Sequence, residues 1–226
     1  MWAKVARQLP ADVRTVAIDL LGYGDSPKPD YKEYDIRTQS LSLLTTLPKL
    51  KLSKPVILIG HSLGALVAID LAKNYPLLIK SLILCSPPLY KSVDSQALRE
   101  KNLRRVYMAL SESKVARDVL LNAKAYQKIN PGYSINQSNV GIFFKTLVSA
   151  IVEQNSIKQL AKIKKPAKIL YGSLDLVIIP RNIQEVAAKN KYVSSKVMPL
   201  LGHEVNRLYR KVLVQTINQE ISRVAA

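Results

Sequence analysis

Five short apolar runs along the chain predict β-strands. Each run is rich in branched or aliphatic residues and is bounded by Gly, Pro or charged positions, which is typical of short buried strands. The runs are Val13–Ile18, Val56–Ile59, Ser81–Leu84, Ala167–Tyr171 and Lys196–Met198. Because helical patterns separate most of them, the sequence predicts an α/β fold with a mostly parallel sheet flanked by helices.

Apolar residues at helical spacing mark the segments between these runs. One helix is predicted around Ile36 to Leu47, one over Leu63–Lys73 and one from Leu213 to Val224. The stretch 92–163 contains no strand pattern, and Leu103, Val106, Tyr107 and Leu110 share one helical face there, as do Val140, Phe143, Phe144, Leu147, Val148 and Ile151. We therefore expect a core formed by 1–91 and 164–226 and a helical insertion over 92–163, interrupted by a turn at Asn130–Tyr133.

Composition is that of an ordinary globular protein, with 48% hydrophobic and 22% charged residues. Cys85 is the one cysteine and follows an apolar run, so we expect a small core residue and a reducing, cytoplasmic location. No apolar run is long enough to predict a membrane span, and no signal peptide pattern opens the chain.

Positive charge is the unusual feature, with a net charge of +18. Residues 91–168 hold 15 Lys and Arg against 5 Asp and Glu, which is more than half of the excess. Such a field can attract anionic substrates, lipid headgroups or nucleic acid, but we favour a basic proteome or a solvated basic surface as the explanation, because no run of charges is uninterrupted enough to be a binding arm.

A Gly-His-Ser-Leu-Gly pentapeptide directly follows the second predicted strand and leads into a predicted helix. The motif comprises Gly60, His61, Ser62, Leu63 and Gly64. In this context G-x-S-x-G forms a sharp turn that exposes the serine hydroxyl above the sheet. We therefore predict Ser62 as a nucleophile; a glycine-rich turn without catalysis is the alternative.

A serine nucleophile needs a base and an acid that orients the base. Of the two histidines, His61 is expected to point away from the reacting side of the serine, so His203, in a loop after the last strand, is the predicted base. Asp175 follows the strand Ala167–Tyr171 and is the predicted acid. Asp70 and Asp94 are the competing carboxylates, and we interpret them as surface residues or helix caps.

These motifs resemble the α/β-hydrolase superfamily, in its branch of small esterase-like and C–C-hydrolase-like proteins. The resemblance covers essentially the whole chain and rests on Asp19–Ser26, the Gly60–Gly64 elbow, Tyr171–Asp175 and Gly202–His203. It implies the order nucleophile, acid, base for Ser62, Asp175 and His203, and a cap formed by the helical insertion. It also implies that Asp19, Gly22 and Gly24 shape a loop, with contact to substrate as the alternative role.

The beginning of the chain departs from the family pattern. That pattern has three strands before Val13 and a His-Gly loop after the third, and the sequence contains neither; Met1–Leu9 resembles the helix that follows the loop. In this fold one oxyanion donor is the backbone N–H after the nucleophile, here that of Leu63, and the other comes from the missing loop. We expect that Met1 is an internal methionine of a longer protein. The alternative is that the chain is a shortened relative with weakened folding and activity.

The predicted activity is serine hydrolysis of an ester, thioester or related acyl bond through an acyl-enzyme on Ser62, with a small molecule as substrate. The alternative is a catalytically impaired or inactive α/β-hydrolase-fold binding protein. We expect no cofactor and no metal, because two histidines and one cysteine form no ligand spacing. No nucleic acid partner is expected, since base-reading motifs are missing, and contact with an anionic membrane is the weaker partner hypothesis.

Overall fold

Four parallel strands form a sheet in the order β1-β2-β3-β4. The computed structural model describes residues 1–92, 98–122 and 136–225. The strands are β1 (Val56–His61), β2 (Ile79–Cys85), β3 (Ala167–Gly172) and β4 (Val193–Met198). The mostly parallel α/β fold is confirmed, as are four of the five predicted strands.

The strand predicted at Val13–Ile18 is wrong. These residues form no regular element, and Val16 is 42% exposed. A strand is stable only when its backbone groups pair with a neighbour. Within the described residues β1 pairs with β2 alone, and no strand of the sheet hydrogen-bonds to the backbone of Val13–Ile18. Their composition favours a strand, but composition does not supply a partner.

Helices cover both faces of the sheet because successive strand residues point to opposite sides. Leu82 and Leu84 pack into one core, and Ile83 and Cys85 pack into the other. The small buried role predicted for Cys85 is confirmed. The helices are α1 (Trp2–Ala6), α2 (Ile36–Thr46), α3 (Leu63–Asn74), α4 (Leu98–Glu112), α5 (Lys114–Asn122), α6 (Val140–Thr146), α7 (Ser156–Leu160), α8 (Pro180–Lys189) and α9 (Arg207–Ala225).

The two cores divide the helices between them. Leu66 and Ile69 of α3 and Ile183 of α8 belong to the first core. Tyr209 and Leu213 of α9 belong to the second, which also includes Val5 of α1. The sheet is therefore the middle of three layers, and its carboxyl edge stays open to the segments that follow each strand.

The described chain between β2 and β3 is helical, as the sequence predicts. Of the apolar face predicted on α4, Leu103 and Tyr107 pack toward the core, whereas Val106 and Leu110 are 52% and 40% exposed. A π-helical segment, Leu147–Val152, follows α6. The predicted turn Asn130–Tyr133 and Asp94 lie outside the described residues. No helix in the described ranges combines the length and the apolar content needed to cross a membrane.

Candidate functional site

The segments that follow the four strands bring four polar side chains to one edge of the sheet. Ser62 follows β1, Ser86 follows β2, Asp175 follows β3, and His203 lies in the loop after β4. The carboxyl ends of parallel strands meet at the same edge, where open α/β sheets bind their ligands. The parallel topology thus explains why residues far apart in sequence converge.

Ser62 occupies a strained turn between β1 and α3. Its φ and ψ are 52° and −119°, a conformation that non-glycine residues rarely adopt. Gly60 makes the turn possible, because a Cβ on it would lie 2.3 Å from the Gly64 carbonyl oxygen. Gly64 itself has open space where a Cβ would be. The geometry is the strand, turn and helix that the motif predicts.

Asp175 and His203 form a direct pair. The His203 Nδ1 lies 2.8 Å from Asp175 Oδ2, and the Asp175 side chain is fully buried. The other carboxylate oxygen accepts the backbone N–H of Val177 at 2.9 Å. Because a carboxylate only accepts, Nδ1 carries the hydrogen, and in the neutral ring Nε2 is the nitrogen with the free lone pair. His203 is therefore in the tautomer that a general base requires.

The surroundings of Asp175 keep it ionised. Burial alone raises the pKa of this carboxyl, but hydrogen bonds from His203, Ser86 and the Val177 N–H outweigh burial and hold the pKa below its ordinary value. An ionised carboxylate beside the imidazole stabilises the imidazolium that forms when His203 takes a proton.

Among the side-chain hydrogen bonds of the described residues, none joins the Ser62 hydroxyl to His203. The contact that brings His203 to the turn is made instead by His61, whose Nε2 lies 2.8 Å from the His203 carbonyl oxygen. The two imidazole rings are 4.9 Å apart between centroids. Because His61 precedes Ser62, this contact brings the Asp175–His203 pair next to the turn. In enzymes, catalytic hydrogen bonds are often long without substrate and tighten only when substrate binds.

Ser86 and Tyr209 support the site, and no motif or periodicity in the sequence predicts either of them. Ser86 is fully buried with a positive φ of 46°, and its hydroxyl lies 3.4 Å from the Tyr209 hydroxyl. Tyr209 donates to the Leu170 carbonyl at 2.8 Å. These contacts join segments about forty to more than a hundred residues apart, which periodicity and local motifs do not report.

Leu63 is the first residue of α3, so its backbone N–H has no acceptor within the helix. Such an N–H points out of the helix start and can donate to an anion.

The loop at Asp19 is held by contacts within the loop itself. Asp19 Oδ2 accepts the Asp25 N–H at 3.1 Å, and the Asp19 carbonyl accepts the Ser26 hydroxyl at 2.7 Å. Gly22 and Gly24 both have positive φ there.

Asp70 is not the surface residue or helix cap that we predicted from the sequence. It is 3% exposed and lies within α3, where its Oδ2 accepts the Ser40 hydroxyl at 2.5 Å and contacts Arg37 at 3.3 Å. Gln159 donates to its other oxygen. The carboxylate therefore joins α2, α3 and α7.

No cluster of three His, Cys, Asp or Glu side chains suited to a metal occurs in the described ranges.

Comparison with known proteins gives matches over most of the chain. A family model described as the alpha/beta hydrolase family matches residues 1–207. Monoacylglycerol lipase ABHD6 of Homo sapiens is 25% identical over 225 residues, which cover 91% of this chain and 66% of that protein. Probable lysophospholipase BODYGUARD 2 of Arabidopsis thaliana is 43% identical over 83 residues, which cover 36% of this chain and 17% of that protein. The chain thus matches less than two thirds of the length of these relatives.

Solved structures share the fold at low identity. A thermophilic esterase from Thermogutta terrifontis superposes with a TM-score of 0.68 at 19% identity, covering 92% of this chain and 79% of that chain. A haloalkane dehalogenase loop variant from Bradyrhizobium elkanii gives a TM-score of 0.73 at 16% identity, covering 99% of this chain and 85% of that chain. At these identities the likeness is one of architecture.

Proposed function

We propose, from the premise that this chain belongs to the alpha/beta hydrolase family, that it is a serine hydrolase of carboxylic esters. Ser62 is the nucleophile, His203 the general base and Asp175 the acid that orients the base. The observation that carries the proposal is the 2.8 Å bond between His203 Nδ1 and Asp175 Oδ2, placed beside a strained serine turn.

The proposed reaction has two steps. As the Ser62 oxygen attacks the acyl carbon, its proton moves to His203 Nε2, and His203 then gives that proton to the departing alcohol. Water next attacks the acyl-enzyme with His203 again as base, which releases the acid and restores Ser62. The Leu63 N–H donates to the oxyanion of each tetrahedral intermediate.

Labelling with a fluorophosphonate tests this proposal against the alternative of an inactive binding protein. We expect a covalent adduct on Ser62 in the folded wild-type chain and none in Ser62→Ala, read by intact mass and peptide mapping. Folded wild-type protein without an adduct would support the binding protein. Equal labelling of both proteins would place the nucleophile elsewhere.

The substrate class is proposed from the relatives. Lysophospholipase and monoacylglycerol lipase are names of proteins that act on acyl esters of glycerol, so we propose an acylglycerol-like ester as substrate. A panel of p-nitrophenyl butyrate, a 1-monoacylglycerol and an acyl thioester, with Ser62→Ala as blank, ranks the classes by kcat/KM. A preference for the thioester would contradict the proposed class.

An exposed apolar surface beside the site favours a substrate presented by an anionic lipid surface. Leu98 and Val106 of α4 and Leu176 of the Asp175 loop line one shallow concavity and are 72%, 52% and 76% exposed. Arg99, which also lines it, donates to the Leu176 carbonyl at 3.4 Å.

The exposed charges of α4 are mostly positive. Lys101 and Arg105 flank the apolar residues, and the acidic Glu112 is also exposed. Apolar residues flanked by cations are typical of helices that lie on anionic lipid.

Vesicle sedimentation tests this contact. We expect more protein on phosphatidylcholine vesicles that contain phosphatidylglycerol than on pure phosphatidylcholine, and about tenfold weaker binding after Leu176→Ser because an apolar side chain no longer enters the lipid. Leu77→Ser is the matched control, since Leu77 is 85% exposed next to the amino end of β2. Equal binding to both vesicles, or equal losses in both variants, would contradict the contact.

The cytoplasmic location stays a prediction that rests on Cys85.

A further inference from the structure

His61 makes a contact with the loop that carries the base, although it precedes the nucleophile in sequence. It is the last residue of β1 and is 9% exposed. Its Nε2 lies 2.8 Å from the carbonyl oxygen of His203, which is 142 residues away. The two rings lie 4.9 Å apart between centroids with an angle of 49° between their planes.

The chemistry of this hydrogen bond assigns the proton. A carbonyl oxygen only accepts, so His61 must carry its hydrogen on Nε2. Burial, followed by the neighbouring His203, lowers the pKa of His61 to about 4. His61 is therefore neutral near pH 7, and it remains a donor without adding positive charge beside a His203 ring that takes up a proton.

The His203 loop has further contacts, and those on its amino-terminal side go to the segment after β3. The Leu174 N–H donates to the Leu201 carbonyl at 2.9 Å, and the Leu200 N–H donates to the Ser173 hydroxyl at 2.9 Å. The His203 ring also bonds to Asp175 in that segment. These bonds fix His203 relative to β3, but none of them fixes it relative to β1, which directly precedes Ser62.

We propose that His61 is a positioning residue that sets the place of the His203 imidazole relative to the Ser62 hydroxyl. The proposal rests on the proposed function, since it assumes that His203 acts on Ser62. The hydrogen bond from His61 joins β1 directly to the backbone of His203. Loss of this bond would let the imidazole shift, and misplacement of a catalytic group by about 1 Å can cost a hundredfold in rate.

Two substitutions separate the hydrogen bond from the volume of the ring. His61→Phe keeps an aromatic ring and removes the donor, and we expect kcat for p-nitrophenyl butyrate to fall about 10- to 100-fold with KM changed by less than about twofold. His61→Gln keeps an amide N–H at similar reach, and we expect it to recover most of the wild-type kcat. A split between kcat and KM, together with rescue by Gln, is not expected of a merely structural residue.

Thr216→Val is the matched control for lost stability. Thr216 is 7% exposed in α9, and its hydroxyl donates to the Val212 carbonyl at 2.9 Å. We expect Thr216→Val to unfold at a lower temperature than wild type and to keep its kcat. Wild-type kcat in His61→Phe, or equally slow Phe and Gln variants, would overturn the proposal.

Nuclear magnetic resonance provides a readout that does not depend on turnover. The chain contains two histidines, so ¹⁵N-histidine labelling gives two imidazoles, and the His61→Phe variant leaves that of His203 alone. We expect His61 to be protonated on Nε2 and to titrate only near pH 4. An Nδ1-protonated His61 would overturn the proposal even if Ser62 is labelled by fluorophosphonate. An unlabelled Ser62 with the expected His61 tautomer would instead locate the failure in the proposed function.

Discussion

Asp175 and Asp70 are both buried carboxylates, but their neighbours differ, and for this reason we propose different roles for them. Asp175 bonds to an imidazole at the sheet edge, whereas Asp70 bonds to Ser40 and Arg37 between helices. Burial by itself therefore does not identify a catalytic acid. The partner of the carboxylate, and what that partner can reach, decides its role.

Replacement of each carboxylate tests this distinction. We expect Asp175→Asn to lower kcat by about 10³- to 10⁴-fold and to stay folded, because an amide neither enforces the His203 tautomer nor stabilises its charged form. Asp70→Asn should instead lower the free energy of unfolding by about 1–3 kcal/mol and leave kcat near wild type. Esterase assays with thermal unfolding measure both, and unchanged turnover in Asp175→Asn would indicate another acid.

The two glycines of the elbow differ in what they tolerate. A Cβ on Gly60 would overlap the Gly64 carbonyl, whereas a Cβ on Gly64 meets nothing within 4 Å. We expect Gly60→Ala to lose about 2–3 kcal/mol of stability from overpacking. Gly64→Ala lies in α3 and should gain about 0.5–1 kcal/mol from helix propensity. Chemical denaturation of both variants measures this, and similar losses would contradict the geometry.

At the scale of elements, local pattern predicted the strands that have a hydrogen-bonded neighbour in the described sheet. Val56–Ile59 and Ala167–Tyr171 form strands because each has a neighbouring strand, while Val13–Ile18 is also rich in branched residues but has no neighbour in the described sheet. The elbow was predictable for a similar reason, since its strand, turn and helix are contiguous. The bond from His61 to His203 was not, because it depends on how β1 and the last loop pack.

Glu220 connects α9 to the sheet through charge. It is 1% exposed, and it contacts Arg223 at 2.5 Å and Lys168 of β3 at 3.5 Å. The hydrogen bond from Arg223 is the main cause that lowers the pKa of Glu220 from its ordinary 4.5 to about 2. A carboxyl whose folded pKa is lowered adds stability above its unfolded pKa and loses it as pH falls toward the folded value.

This linkage predicts a pH-dependent difference between wild type and Glu220→Gln. We expect the variant to be less stable than wild type at pH 7, and we expect the gap to shrink between about pH 4.5 and about pH 2 as Glu220 takes up a proton. Denaturation midpoints measured across that window check the sign. A gap that widens in acid would mean that the carboxylate is not stabilised in the folded chain.

At the scale of the whole molecule, the net charge of +18 on 226 residues predicts self-repulsion. Salt screens charges over a length of about 10 Å at 0.1 M, so we expect the melting temperature to rise as NaCl increases from about 20 to 300 mM. The double variant with Lys54→Glu and Lys73→Glu, both at exposed positions, has a net charge lower by four. Its melting temperature should therefore rise less with salt than that of wild type. A melting temperature that falls with salt would show that attractive ion pairs outweigh repulsion.

The long connection from β2 to β3 has a consequence for how such a protein can diversify. The two strands pair in register although residues 86–166 separate them, and α4 and α5 lie within that connection. Each doubling of a flexible loop adds only about 0.6 kcal/mol to the cost of closing it. New sequence inserted there would leave the strand ends, and hence the spacing of the side chains that we propose as reactive, in place, so selectivity could be exchanged while the proposed catalytic groups are retained.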